Sequence, residues 1–282
     1  MAPRVILVTG TSSGFGRCLV DAVLAQGDIA VATLRKPSVL DALKAEYGPD
    51  RLLVLPLDVT KQDQVDAAFE AVKETFGRLD MVINNAGTGV VDEIEATSDE
   101  SGRWIMDTNF WGPLAMMKKA VAFMRDVNQP QGGQILNVSS DCGIRAQAGL
   151  GVYSASKHAL EGISDAFADE IDPAWNITIS VVEPGSFKTS VGGVKLPGPH
   201  PAYTNPSLPV NKMRAFFETL NPPGDPRKAA RAMLAILDMP QGEKPRRFIL
   251  GDDAIKSFDG KGKELLDLAE KNRATAGTYK LD

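Results

Sequence analysis

An α/β fold, one doubly wound parallel sheet of about seven strands with helices on both faces, is what this 282-residue sequence predicts. Two observations carry the prediction. Short apolar runs of strand length alternate with stretches of helical periodicity along most of the chain, the pattern of a parallel sheet with crossover helices. Glycines, amides and hydroxyls gather where those apolar runs end, at the edge where open parallel sheets bind ligands.

The elements follow in order. Val5–Val8 is an apolar run closing on the turn Gly10, Ser12, Ser13, Gly14, Phe15, Gly16, after which Cys18, Leu19, Ala22 and Val23 recur at helical spacing. A glycine turn between strand and helix lets backbone N–H groups approach a pyrophosphate at the helix N-terminus. Asp28–Thr33 is a second strand, ending about twenty residues after the glycines, where a dinucleotide fold reads the adenosine ribose. That place holds Leu34, then Arg35 and Lys36. A carboxylate there would accept from a free 2′-hydroxyl, whereas a guanidinium pairs with a 2′-phosphate, so the pattern favours NADP over NAD.

Leu52–Leu55 with Asp58 beyond it, a helix over Asp63–Phe76, and the strand Leu79–Ile83 continue the alternation. Asn84, Asn85, Ala86 and Gly87 follow that strand. Glu100–Val127 reads as one long helix with Asn109 set among Trp104, Ile105, Met106, Phe110 and Trp111, and such an amide needs partners. Gly132–Ser140 is a fifth strand, Tyr153–Ile171 a helix, and Ile177–Val182 a sixth strand closing on Glu183, Pro184 and Gly185, with Phe187 and Thr189 just beyond. From Gly192 to Asp225 prolines and glycines interrupt one amphipathic piece, Asn211–Leu220, bearing Met213, Phe216, Phe217 and Leu220. Helical periodicity resumes over Arg227–Leu237, Arg247–Leu250 is a last strand, and Gly262–Arg273 an amphipathic helix.

Composition narrows the function. The net charge of −5, with no basic run, argues against a nucleic-acid or anionic-membrane surface and leaves small-molecule chemistry. Two cysteines, Cys18 and Cys142, exclude a disulfide scaffold and suit a reducing compartment. The N-terminal residues are too few for a signal segment and no run approaches eighteen apolar residues, so a cytoplasmic protein without a membrane-spanning segment is expected. His158 and His200, with no Cys/His or Asp cluster near them, offer no metal site.

The chemistry centres on Tyr153 and Lys157, four residues apart on one helix face with about 6 Å of rise between them. A neighbouring ammonium favours phenolate, so Lys157 is expected to lower the Tyr153 pKa towards a range useful for acid/base work. Ser140, at the end of its strand, offers a hydroxyl to a substrate oxygen.

Together these residues resemble the short-chain dehydrogenase/reductase family, of NADP-preferring carbonyl reductase or alcohol dehydrogenase type, from Val5 to about Leu250. The turn Thr9–Gly16 matches its cofactor turn, Asn84–Gly87 its sheet motif, and Pro184, Gly185 and Thr189 its nicotinamide loop. Asn109, Ser140, Tyr153 and Lys157 fall where the family keeps its catalytic residues. The resemblance implies a single Rossmann-type dinucleotide-binding domain over 1–282, and assembly as a homodimer or homotetramer is expected. The insertion at 192–225 begins beside the nicotinamide end and reads either as a substrate lid or, equally, as a segment whose apolar stripe packs on the body of the protein as core. It places Asp58 near the adenine, Asn85, Ala86 and Gly87 along the cofactor, and Lys157 on the nicotinamide ribose.

The implied reaction passes a hydride between nicotinamide and the carbon of a lipophilic ketone or alcohol, with Tyr153 giving or taking the proton. Asn109 would anchor a proton-relaying water. Three other readings carry less weight: a regulatory protein that binds the dinucleotide without chemistry, a sugar-nucleotide epimerase or dehydratase, and a purely structural subunit.

Overall fold

The computed structural model describes residues 2–189, 194–219 and 221–277. Its main sheet is seven-stranded and parallel, in the order β3-β2-β1-β4-β6-β7-β9. These are β1 (Val5–Thr9), β2 (Ile29–Leu34), β3 (Leu52–Pro56), β4 (Met81–Asn84), β6 (Gly133–Val138), β7 (Ile177–Pro184) and β9 (Arg247–Leu250). Two-residue strands β5 (Gly89–Val90) and β8 (Val194–Lys195) pair apart from it. The chain runs outward from β1 to β3, then returns to β4 on the other side of β1. That reversal opens a crevice at the carboxyl ends of β1 and β4.

Strand alternation sends neighbouring side chains to opposite layers. Ile6 and Val8 pack with α1 (Gly14–Ala25) and α8 (Pro226–Ala235). Val5 and Leu7 pack with α3 (Gln62–Phe76), α5 (Gly112–Asp126) and α6 (Gly151–Glu170). Both faces are therefore covered, as the sequence predicts, and the strands are buried on both sides.

Three segments differ from expectation. Glu100–Val127 is not one helix: α4 (Asp99–Met106) and α5 are joined by a π-helical turn over Asp107–Trp111. Pro113 supplies the reason, since it lacks the N–H that would bond to the Asn109 carbonyl in a continuous α-helix. The C-terminal helix, expected over Gly262–Arg273, is α9 (Asp252–Ala276), which starts directly after β9. Gly260 and Gly262 read as breakers in sequence, yet Asp252 and Asp253 in the first turn complement the helix dipole. The piece expected over Asn211–Leu220 is α7 (Pro209–Glu218); Gly192 and Leu220 lie outside the described residues. A short helix α2 (Asp41–Tyr47) was not legible as an element.

Candidate active site

The carboxyl ends of the strands line one cleft of about 700 Å³. Six of the strands bring residues to it: Asp58 after β3, Arg35 after β2, the glycine turn after β1, Asn85, Ala86 and Gly87 after β4, Ser140 after β6, and Gly185, Phe187 and Thr189 after β7. Gly10, Ser12, Ser13, Gly14, Phe15, Pro184, Tyr153 and Lys157 line it too. Of the residues singled out in sequence, Gly16 and Asn109 stand behind this lining.

The turn after β1 is built tightly. Gly10 has φ +70°, and an added Cβ would lie 2.8 Å from the Ala86 Cα. A Cβ on Gly16 would collide with the Gly10 carbonyl oxygen and lie 2.6 Å from Asn85 Nδ2. Thr9 Oγ1 accepts from the N–H groups of Asn85 and Ala86, each at 2.9 Å, and Asn85 Nδ2 donates to the Thr9 carbonyl at 2.8 Å. The two loops flanking the crevice are thereby one unit. Helix α1 opens onto it with Ser13 at the N-cap, no side-chain cap bond and no acid in its first turn. Unpaired N–H donors and the positive dipole end fit a phosphate there.

Asn109 sits in the π turn, fully buried. Its Nδ2 donates to the Thr88 carbonyl at 2.8 Å and to Ser156 Oγ at 3.0 Å, while its Oδ1 accepts from the Thr88 N–H at 2.9 Å. The amide thus braces the segment after Gly87 against α6. Asp58 Oδ1 accepts from Thr60 N–H and Oγ1, which closes the turn after β3.

Ser140 Oγ donates to Asp141 Oδ1 at 3.1 Å and accepts from the Cys142 N–H at 3.2 Å. Lys157 Nζ donates to the Val138 carbonyl at 2.8 Å and lies 5.7 Å from the centroid of the Tyr153 ring. The electrostatics correct one expectation. The Tyr153 phenol is pushed above its ordinary range, not lowered: burial dominates, and the hydrogen bond with Ser140 only partly opposes it. Burial also acts on Lys157, bringing it down to about 8 against the opposing Glu161 carboxylate. The phenol is therefore protonated at neutral pH.

Beyond Tyr153 the cleft wall turns apolar. Leu150, Val194, Met213, Phe216 and Phe217 line it, together with Trp104, over whose ring Lys195 Nζ stands at 4.5 Å. Trp104, Thr108, Gln147, Leu150, Val194 and Lys195 are lining residues that sequence reasoning did not assign to the site. Tyr153 is flanked by the hydrophobic stretch holding Leu150, the one local signal available; the others come from distant segments.

The family described as short chain dehydrogenase matches residues 4–197. The chain belongs to that family. A relative of this dehydrogenase, an uncharacterized oxidoreductase of Schizosaccharomyces pombe, is 37% identical over 98% of this chain and 92% of its own length. A 3-ketodihydrosphingosine reductase of Bacteroides thetaiotaomicron is 40% identical over 67% of this chain and 66% of its own. Among solved structures, a short-chain dehydrogenase from Streptomyces avermitilis covers 100% of both chains at TM-score 0.89 and 33% identity. One from Burkholderia cenocepacia, in complex with NADP, covers 95% of this dehydrogenase and 97% of itself at TM-score 0.73 and 25% identity. This dehydrogenase is accordingly an oxidoreductase of the short-chain type.

Proposed function

We propose that this enzyme transfers a hydride between NADP(H) and the carbonyl or secondary-alcohol carbon of a lipophilic substrate, with Asn109, Ser140, Tyr153 and Lys157 as its catalytic group. The observation that carries the reading is that Tyr153, Ser140 and Lys157 line the same cleft as Arg35 and the open N-terminus of α1. The residues present fit a phosphorylated dinucleotide. The first turn of α1 suits the pyrophosphate, and Arg35, exposed and without a hydrogen-bond or ion-pair partner among the described residues, suits the 2′-phosphate. Leu34 leaves the end of β2 without a carboxylate to bind a free 2′-hydroxyl. Solved neighbours carry both forms, NADP in the Burkholderia cenocepacia dehydrogenase and NADH in a 3-ketoacyl-(acyl-carrier-protein) reductase from Brucella melitensis, so the choice of NADP rests on Arg35 and Leu34.

When bound, the dinucleotide supplies or takes up the hydride. Tyr153, protonated at neutral pH, donates its proton to the substrate oxygen during reduction and recovers it during oxidation. As it stands Ser140 donates its proton to Asp141, so it can accept from the hydroxyl of an alcohol substrate but not bond a carbonyl oxygen. It becomes a donor by turning away from Asp141. Lys157 spends one proton on the Val138 carbonyl, leaving its others for the ribose and the Tyr153 oxygen. Asn109 keeps the Thr88 backbone in place beside Gly87.

The apolar wall of Leu150, Met213, Phe216 and Phe217 supports a lipophilic substrate. The Bacteroides thetaiotaomicron relative is named for 3-ketodihydrosphingosine, a keto compound. The same proposal includes a cytoplasmic location, one dinucleotide-binding domain over 1–282 and assembly as a homodimer or homotetramer. The test is to follow NADPH absorbance with a panel of apolar ketones and aldehydes. Turnover is expected with NADPH well above that with NADH; no oxidation of NADPH with any carbonyl, and none of NADP reduction with the matching alcohols, would sink it.

A further inference from the structure

Helix α7 presents Met213, Phe216 and Phe217 to the cleft, and Met213 and Phe217 pack with Tyr153 against the buried residues Val91, Cys142 and Leu150. A segment of this kind beside a cleft invites description as a lid. Its polar contacts say otherwise. Arg214, whose side chain is 8% exposed, points into the protein, where Glu93 is 2% exposed. One guanidinium nitrogen bonds Glu93 Oε1 at 2.6 Å and the other Glu93 Oε2 at 2.7 Å, a two-point contact to both carboxylate oxygens. Asp92 Oδ1 takes a third bond at 3.2 Å, and the Asn211 side chain and Pro197 carbonyl take two more.

Glu93 also accepts from the His200 N–H at 3.4 Å, and the Asp92 N–H donates to the Gly149 carbonyl at 2.9 Å, one residue before Leu150. Val210 and Met213 lie over Gly149 itself. A single guanidinium therefore ties together α7, the segment leading to it, the stretch after β5, and the approach to the helix that carries Tyr153. Lifting α7 would carry the guanidinium away and leave the buried carboxylates of Asp92 and Glu93 without it.

We propose that Arg214 is a positioning residue: its two-point bond to Glu93 fixes α7 as a permanent wall of the substrate pocket, and the place of Met213 and Phe217 relative to Tyr153 selects carbonyl substrates by size. The selection by size rests on the reading of Tyr153 as the acid/base, whereas the fixed wall does not. Arg214 also holds the Glu93 carboxyl down to about 2, so the pair is ionised at neutral pH.

The test compares the unmodified enzyme with Arg214→Lys, Arg214→Met and Glu93→Gln. Hydrogen–deuterium exchange of residues 209–218, which needs no substrate, is expected to be slow in the unmodified enzyme, at least tenfold faster in Arg214→Met, and intermediate in Arg214→Lys. With NADPH, the ratio of kcat/KM for a bulky aryl ketone to that for a small aliphatic one is expected to fall at least tenfold in Arg214→Met, through KM, with partial recovery in Arg214→Lys. If Arg214→Met does not fold, Glu93→Gln reads the same two quantities. Fast exchange of α7 in the unmodified enzyme overturns the proposal, as does faster exchange with an unchanged substrate ratio. Exchange as expected, with no turnover in any protein, defeats the proposed function and leaves the fixed wall standing.

Discussion

Behind Lys157 lies a buried acidic group whose titration the structure makes measurable. Arg247, on β9, donates to Glu161 Oε2 at 2.7 Å, to Glu183 Oε1 at 2.9 Å and to Asp165 Oδ2 at 2.6 Å, so three carboxylates share one guanidinium. Glu183 is fully buried and its Oε2 has no hydrogen-bond partner among the described residues. Burial, and then the Glu161 charge, push its carboxyl from the ordinary 4.5 up to about 7, with Arg247 only partly opposing. Between those two values the folded protein holds a proton that the unfolded chain has released. Stability therefore falls as pH rises from about 4.5 to about 7 and levels off above. At 1.36 kcal/mol per pH unit, this amounts to about 3 kcal/mol in full.

Glu183→Gln removes the titration while keeping an acceptor for Arg247. Urea unfolding of both proteins at pH 5 and pH 8 isolates the titration of this carboxylate group, because titrating groups away from Glu183 and its neighbours cancel in the difference. The variant is expected to gain about 2–3 kcal/mol relative to the unmodified protein on going from pH 5 to pH 8. The change between the two pH values, not the offset at either, carries the prediction, since the new amide protons bring their own burial cost. Stability differences that are the same at both pH values would refute the reasoning and mean that Glu183 is ionised throughout.

Two further outcomes concern the cofactor end. Arg35→Asp replaces an exposed cation with an anion, and the ratio of kcat/KM for NADPH over NADH should drop by roughly 10- to 100-fold, about 1.4–2.8 kcal/mol; equal use of both cofactors by the unmodified enzyme would contradict this. Gly16→Ala forces a methyl group onto the Gly10 carbonyl and should cost about 1–3 kcal/mol of stability and weaken NADPH binding, and an unchanged melting temperature with full affinity would mean that the turn has room to yield.

The main sheet was legible because each strand is an apolar run with its own turn signal, so β1, β2, β3, β4, β6, β7 and β9 all stood where the alternation put them. Strands β5 and β8 are two residues long, too short to show a period. The break between α4 and α5 was visible only as Pro113, which sequence periodicity overrode. Glycine, hydroxyl and amide positions at the strand ends could be read individually, since each motif is local. The Arg214–Glu93 bond could not, as its partners are 121 residues apart and each looks like an ordinary surface charge. The direction of the Tyr153 shift was misread for a related reason: residue spacing shows a neighbouring ammonium, whereas burial depends on everything packed around the phenol.

The proposed proton transfer depends on the Tyr153 hydroxyl. Tyr153→Phe keeps the ring that packs with Met213 and Phe217 and removes one oxygen, so NADPH binding followed by fluorescence should be nearly unchanged. Turnover of a carbonyl substrate should fall by roughly 10²- to 10⁴-fold, the contribution of a positioned general acid. Retention of full turnover by Tyr153→Phe would contradict the central claim that this phenol moves the proton.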